Sequence, residues 1–279
     1  KQWAGAAVEI VNSAFPGGNF DREPETWPWC ARLLPQALAA AGYAETLKVN
    51  LPATGQALVR CGFYLQIRAE FAGAQACYER ALALDEAAYG PNHPEVARDV
   101  NNLGAVLQDL GDLAGAKAHF ERALALDEAA YGPNHPEVAT DVNNLGNVLQ
   151  DLGDLAGAKA HFERALALDE AAYGPDHPEV ATDVNNLGNV LQDLGDLPGA
   201  KAHYERALAL DEAAYGPNHP DVARDVNNLG YVLQALGDLP GAKMHYERAL
   251  AIFEQFLGDD HPNTKIVQDN LAALDSSQD

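Results

Sequence analysis

The stretch Asp-Val-Asn-Asn-Leu-Gly starts at Asp99 and returns at Asp141, Asp183 and Asp225, each time 42 residues after the previous copy. A fixed period of that length builds a stack of supersecondary units in which each unit touches its neighbours in sequence. The 279 residues therefore read as one array and not as length divided by a typical domain size. Hydrophobic residues make up 47% of the chain, enough to bury a large apolar area along such a stack.

Each unit reads as two helices, with residues 94–132 as the model. Pro94 suits a first helical position, and Glu95 puts a negative charge where the helix dipole favours it. Helix A is expected to run to about Leu110, with Val96, Val100, Leu103, Val106, Leu107 and Leu110 inward at three- and four-residue spacing. Gly111 is a natural residue just past the helix end and Asp112 a natural N-cap, so the turn is tight. Helix B is expected from Leu113 to about Ala130, with Leu113, Ala116, Phe120, Ala123, Leu124 and Leu126 inward. A glycine inside a helix costs roughly 1 kcal/mol against alanine, so its return at 62, 104, 146, 188 and 230 implies a packing reason.

Leu103, Gly104, Leu107, Leu113, Ala116, Phe120 and Ala123 resemble the tetratricopeptide-repeat signature, and equivalents recur from Leu145, Leu187 and Leu229. A more divergent copy begins at Cys61-Gly62 and continues through Phe71, Ala74, Tyr78 and Ala81. The long period and the Gly-Pro-Asn-His-Pro-Glu-Val-Ala junction resemble the variant found in kinesin light chains and many bacterial proteins. The resemblance covers roughly residues 53–262. It implies an all-α fold, a right-handed α-solenoid of five helix pairs over 51–262, between a helical cap or connector at 1–50 and a capping helix and tail at 263–279. Pro262–Leu274 reads as a sixth helix A without its partner, and Lys265, Gln268, Asp269 and Asn270 suit an end exposed to water.

Residues 1–50 lack the repeat. A helix is expected over Trp3–Phe15, broken by Pro16-Gly17-Gly18-Asn19. Pro28 fits near the start of a second helix, and Pro35 implies a kink or a restart before Gln36–Leu47. Trp27 and Trp29 read as covers for the open end of the array. Ala7–Pro16 and Trp27–Pro35 resemble a region of bacterial STAND/NB-ARC signal-transduction NTPases, where it joins a nucleotide switch to a C-terminal repeat sensor. That resemblance implies a ligand sensor, with an upstream NTPase domain available for intramolecular contact. The chain itself has no glycine-rich loop with Lys-Ser/Thr to cradle phosphate. It begins at Lys1 and its one methionine is Met244, which reads as a fragment or processed product of something longer.

Comparing the copies with one another separates a fixed core from two varying positions on helix A. They are Arg98/Thr140/Thr182/Arg224 and Ala105/Asn147/Asn189/Tyr231, seven residues apart and so on one face. In tetratricopeptide arrays that face lines the concave groove. Helix-B positions Lys117, His119, Glu121 and Arg122 stay identical through three further copies, so drift at exposed sites does not account for the pattern. Paired asparagines sit mid-helix, where asparagine is a poor helix former. A side-chain amide can both donate to and accept from an extended peptide backbone. By resemblance Asn102, Asn144, Asn186 and Asn228 inherit that role, and Asn147 and Asn189 extend the row one turn on. The first asparagines, Asn143 and Asn185 among them, serve either the groove or the neighbouring repeat. Gln150 and Gln192 read as a polar flank, Asp109, Asp151 and Asp193 as an acidic wall, and Tyr231 and Phe63 as aromatic anchors or end covers. The candidate protein-binding residues are thus Asn102, Asn144, Asn186, Asn228, Asn147, Asn189, Asn143, Asn185, Arg98, Arg224, Tyr231, Gln150 and Gln192.

The net charge of −23 argues against nucleic acid, whose phosphates need clustered lysine and arginine. It keeps a long array soluble, while the acidic wall of Asp109, Asp151 and Asp193 favours a basic or polar ligand. Cys30, Cys61 and Cys77 form neither an even disulfide set nor a CxxC motif, and no long apolar run suggests a membrane span, so a cytoplasmic setting is expected. The histidine before each helix-A proline reads as a cap, and the helix-B histidines are one repeat apart, too far to converge on a metal. No catalytic, cofactor-binding or metal-binding residue is expected. The functional expectation is a protein-recognition module, a sensor in the first reading and a constitutive scaffold or adaptor in the second.

Overall fold

The computed structural model describes residues 2–16, 26–259 and 261–276. Among the described residues there are thirteen α-helices and no strand. They are α1 (Gln2–Ala14), α2 (Trp27–Leu47), α3 (Leu51–Ile67), α4 (Phe71–Tyr89), α5 (Pro94–Asp109), α6 (Leu113–Tyr131), α7 (Pro136–Asp151), α8 (Leu155–Tyr173), α9 (Pro178–Asp193), α10 (Leu197–Tyr215), α11 (Pro220–Ala235), α12 (Leu239–Leu257) and α13 (Pro262–Ser276). Residues 1–148 and 149–279 form two compact units.

The repeat boundaries come from local chemistry. His93 caps α5 by accepting the Glu95 amide at 3.2 Å on its Nδ1. The ring also stacks on Tyr89 at 4.7 Å, and the same stack recurs at Tyr131–His135, Tyr173–His177 and Tyr215–His219. The cap therefore also pins the end of the preceding helix B. Asp112 caps α6 by accepting the Gly115 amide at 3.0 Å, and Gly111 takes the left-handed φ of +82° that the tight turn between α5 and α6 requires. Leu110 lies past the end of α5 and is 44% exposed, as are Leu152, Leu194 and Leu236 to a similar degree, so the expectation of an inward Leu110 fails. The turn that Gly111 makes possible carries that side chain off the apolar face.

The recurrent helix-A glycine meets the aromatic of its own helix B. A Cβ on Gly104 would stand 2.8 Å from the Phe120 ring, and one on Gly188 would stand 2.6 Å from Tyr204. The two helices of a repeat approach this closely only because the glycine has no side chain, which is the packing reason its return implied.

In the first unit, α1 and α2 pack onto α3 through Val8, Ala40, Ala44 and Ala57. Arg80 of α4 pairs with Glu45 of α2 at 2.9 Å, repeating the 2.6 Å pair of Arg122 on α6 with Glu86 on α4. α2 thus takes the place of a helix B ahead of the first repeat. Pro35 does not restart α2, which runs unbroken for 21 residues. The missing N–H costs one bond, and buried Cys30, Ala37, Ala40, Ala41 and Ala44 hold the helix on both sides of it. Trp27 sits under the Arg68 guanidinium at 5.6 Å and covers the first pair, whereas Trp29 is 59% exposed beside Arg32. The glycine-rich break after Pro16 lies outside the described residues.

In the second unit, α9/α10 and α11/α12 repeat the same pairing, and α13 closes the last pair. Val267 and Leu274 of α13 join Val222, Val226, Ile252 and Phe253 in one buried cluster.

Candidate functional site: the helix-A face

The asparagine pairs link one helix A to the next. In the first unit the Asn144 amide donates from Nδ2 to Asn101 Oδ1 at 3.0 Å. In the second, Asn228 donates to Asn185 and Asn270 to Asn227, each also at 3.0 Å. The second asparagine of one pair therefore grips the first asparagine of the pair before it, side chain to side chain. Asn270 on α13 continues this ladder, a role its place 42 residues after Asn228 could have revealed. Asn185 is buried, while Asn102, Asn143, Asn144, Asn186 and Asn228 are half-buried on the helix-A face.

A second ladder runs one turn further along. Gln66 donates to Asp109 at 2.6 Å and Gln150 to Asp193 at 2.5 Å, so the acidic wall is threaded by amides. The glutamines also receive hydroxyls from helix B, Tyr78 donating to Gln66 and Tyr246 to Gln234, both at 3.0 Å. Tyr204 donates to Asn189 at 2.7 Å and lies 3.3 Å from Gln192 Oε1. Phe120 and Phe162, at the equivalent place, have no hydroxyl to give. Asn147 is half-buried, and Tyr231 and Phe63, 49% and 37% exposed, are aromatics that stand out from this face.

Arg98 and Arg224 are held by carboxylates within their own junctions. Arg98 reaches Asp85 at 3.4 Å, Asp99 at 3.2 Å and Glu95 at 2.8 Å. Arg224 reaches Asp211 at 3.4 Å, Asp225 at 3.5 Å and Asp221 at 3.7 Å. Asp85 on helix B and Asp99 on the next helix A are both buried and are bridged by the Arg98 guanidinium. At the equivalent positions Asp141, Asp183, Asp211 and Asp225 are buried, whereas Asp127 and Asp169 on helix B are half-buried. Burial, against the pull of Arg98, raises Asp99 to about 7; burial and the neighbouring Asp127 raise Asp141 to about 8. Sequence reasoning missed these aspartates. The signal was there, because position 99 is three residues from Val96 and four from Leu103 and so falls on the apolar face.

The constant helix-B residues have structural partners of their own. Arg122 binds Glu86 and the Pro91 carbonyl, at 2.6 and 3.3 Å, and Arg206 and Arg248 do the same with their counterparts. His119 Nδ1 lies 2.8 Å from the Gly115 carbonyl, and Lys117 pairs with Glu121 at 3.7 Å. Their constancy follows from these bonds, so it is not a measure of how freely exposed positions drift. The three cysteines are free and buried, and burial pushes the Cys61 thiol up to about 12. Among the described residues no cluster of three or more His, Cys, Asp or Glu side chains is placed to hold a metal, and no helix is long and apolar enough to cross a membrane.

Two tetratricopeptide-repeat models match the sequence, one over residues 54–95, 100–137 and 142–179 and the other over 182–230 and 225–279. The chain belongs to the tetratricopeptide-repeat family. Its repeats are of a kind that generally serves protein interaction, on an all-α solenoid fold. No curated protein matches the sequence. Among solved structures, BtubC (BKLC) from P. vanneervenii is similar with a TM-score of 0.64 and 24% identity, over 88% of this chain and 95% of that one. A Podosopora anserina kinesin-light-chain protein with nearly identical TPR-like repeats is similar with a TM-score of 0.59 and 19% identity, over 74% of this chain and 98% of that one. A single-substitution variant of it gives 0.61 and 17% over the same shares. At these identities the likeness concerns the fold.

Proposed function

We propose that this tetratricopeptide-repeat chain is a protein- or peptide-recognition module that takes an extended partner along the helix-A face. The observation that carries the reading is the pinning of the second asparagines by the repeat before them. An amide has two donor protons and two acceptor sites, and the bond between repeats uses one donor. What remains is held in a fixed orientation on a rigid helix, so a partner's backbone meets groups whose ordering cost is already met. Asn102, Asn144, Asn186 and Asn228 are assigned this role, with Asn147, Asn189, Gln150 and Gln192 flanking. Arg98 and Arg224 would influence partner choice through the charge state of the junctions they neutralise. Tyr231 supplies an aromatic contact. The carboxylates Asp109, Asp151 and Asp193 favour a basic or polar ligand.

The finer assignment is the ligand sensor of a cytoplasmic signalling NTPase, in which docking shifts an inactive–active equilibrium by differential affinity. It is supported by the character of residues 1–50 and by the way α1 and α2 continue the stack into which an upstream domain would lead. The adaptor reading is favoured by the likeness to the kinesin-light-chain array. A P-loop followed by a winged helix upstream would select the sensor, and a coiled coil the adaptor.

The test starts from a partner crosslinked to the purified array, whose affinity is then measured for variants. Asn144→Ala with Asn186→Ala should weaken binding by tenfold or more, on the order of 1.4 kcal/mol. Lys117→Ala with Lys159→Ala, on helix B, should leave it unchanged. The reverse pattern would move the site to helix B and end this reading.

A further inference from the structure

The first helix pair is covered less completely than the pairs that follow it. The Arg80–Glu45 and Arg122–Glu86 ion pairs make Glu45 the counterpart of Glu86 and, one period on, of Glu128. Tyr43 then stands where α4 has Leu84 and α6 has Leu126. Leu126 is half-buried against the cluster that Val96 and Val100 of α5 form with Ala123. Tyr43 is 69% exposed. The helix placed to cover it is α1, which has 13 residues where α5 has 16, and it leaves Tyr43 bare.

The bare surface is apolar along both helices. Trp3 and Ile10 lie seven residues apart on one face of α1 and are 90% and 68% exposed. Trp29 and Tyr43, fourteen residues apart, share a face of α2. Ala7 lies one turn from both Trp3 and Ile10, and Ala40 one turn from Tyr43. Both alanines pack into the same α1–α2–α3 cluster, so the two stripes border one seam. Beside Ile10 an open hollow of about 390 Å³, lined also by Glu9, Ser13 and Ala14, gives an aromatic ring a seat. Three aromatics of about 150–250 Å² each, exposed by more than half, offer with Ile10 on the order of 500 Å² of apolar surface. A monomer rarely leaves so much in one patch. Two such faces set against each other bury about 1,000 Å², the size at which a specific interface begins.

Charge narrows the occupant. The chain carries −23, which sets copies of it against each other over most approaches. The charged residues of α1 and α2 are Glu9, Arg32 and Glu45, and Glu45 is already paired with Arg80. Glu9 and Arg32 remain, one of each sign and both exposed. A face that is apolar, nearly neutral and carries both signs is complementary to itself, as a two-fold contact requires. A strongly basic or acidic partner finds no net charge here to meet. We propose that two copies of the chain pair through this α1–α2 face about a two-fold axis, setting Trp3, Ile10, Trp29 and Tyr43 of one copy against that set in the other. The contact uses none of the helix-A residues assigned above, so it stands or falls apart from the recognition reading.

Sedimentation equilibrium of the full chain between about 1 and about 200 µM reads the pairing directly. The mass should rise from monomer to dimer and stop there. Raising salt from about 0.05 M to about 0.5 M should tighten the dimer, because screening removes the repulsion between copies and leaves the apolar contact. Trp3→Glu with Tyr43→Glu should weaken the dimer roughly tenfold or more. Both positions are exposed, so a thermal melt of that variant should match the wild type at a concentration where each is monomeric. Met244→Glu with Phe256→Glu, at two exposed apolar side chains of α12, should leave the pairing unchanged. A chain that stays monomeric over the whole range would overturn the proposal and leave the face to a different partner. So would growth beyond the dimer, an association untouched by Trp3→Glu with Tyr43→Glu, or one abolished by the α12 substitutions.

Discussion

At the scale of single residues, the repeat is specified by what cannot be larger. Gly188 lies where a methyl would come within 2.6 Å of Tyr204, whereas Gly42 in α2 has nothing within 4 Å of its added Cβ. Alanine gains about 1 kcal/mol of helix propensity at either position. At Gly42 that gain should appear as higher stability in urea. At Gly188 it should be outweighed by overpacking of roughly 1–3 kcal/mol, because a ring wedged between two helices has no free rotamer to move to. Equal effects at the two sites would disprove the close-approach account. Asn144 belongs to the same scale. Since its amide holds Asn101, Asn144→Ala leaves a half-buried oxygen without its donor and should cost about 0.5–1.5 kcal/mol in a thermal melt. An effect on partner binding alone, with no change in melting, would mean that the bond contributes nothing to the stack.

At the scale of elements, starts and stops were legible in the sequence because their causes are local. Proline at the first helical position, histidine before it and glycine after the last turn act within three or four residues. The asparagine and glutamine ladders were legible only as polar positions, since each bond joins residues 43 apart and depends on how neighbouring helices stack. The buried aspartates were missed for the same reason. Asp99 and Asp85 become a pair only when helix B of one repeat lies against helix A of the next. The cap offers the element-scale test. His135→Ala should destabilise α7 by about 1 kcal/mol, through loss of the acceptor for the Glu137 amide and of the stack on Tyr131. His135→Asn, which keeps an acceptor at that place, should recover most of it. If both variants lose the same amount, stacking and not capping is the contribution that matters.

At the scale of the whole molecule, a repeat stack has to end, and the two ends solve this differently. At the first, α2 stands in for a helix B and Trp27 lies over the opening pair. At the other, α13 supplies a helix A whose inner face carries Val267 in place of the usual aspartate, opposite Phe253 in place of the other. Exchanging a carboxyl pair for an apolar pair removes the need for a proton or a cation where the stack meets water. It also makes the last junction depend wholly on apolar burial. Val267→Asp in the full chain therefore restores the aspartate without its carboxyl partner, and it places a lone charge against Phe253 and Leu274. That should cost on the order of 3–5 kcal/mol at neutral pH. The loss should be local, because in a repeat array a damaged unit unravels before its neighbours do. Limited proteolysis is expected to cut within α12 and α13 while α9 and α10 stay intact. The second substitution, Phe253→Asp in the same chain, should recover part of the stability at low pH, where the rebuilt pair can share a proton, and none of it at high pH. Recovery at high pH as well would show that the junction tolerates paired negative charge, and that burial of the carboxyls is not what sets their demand for a proton.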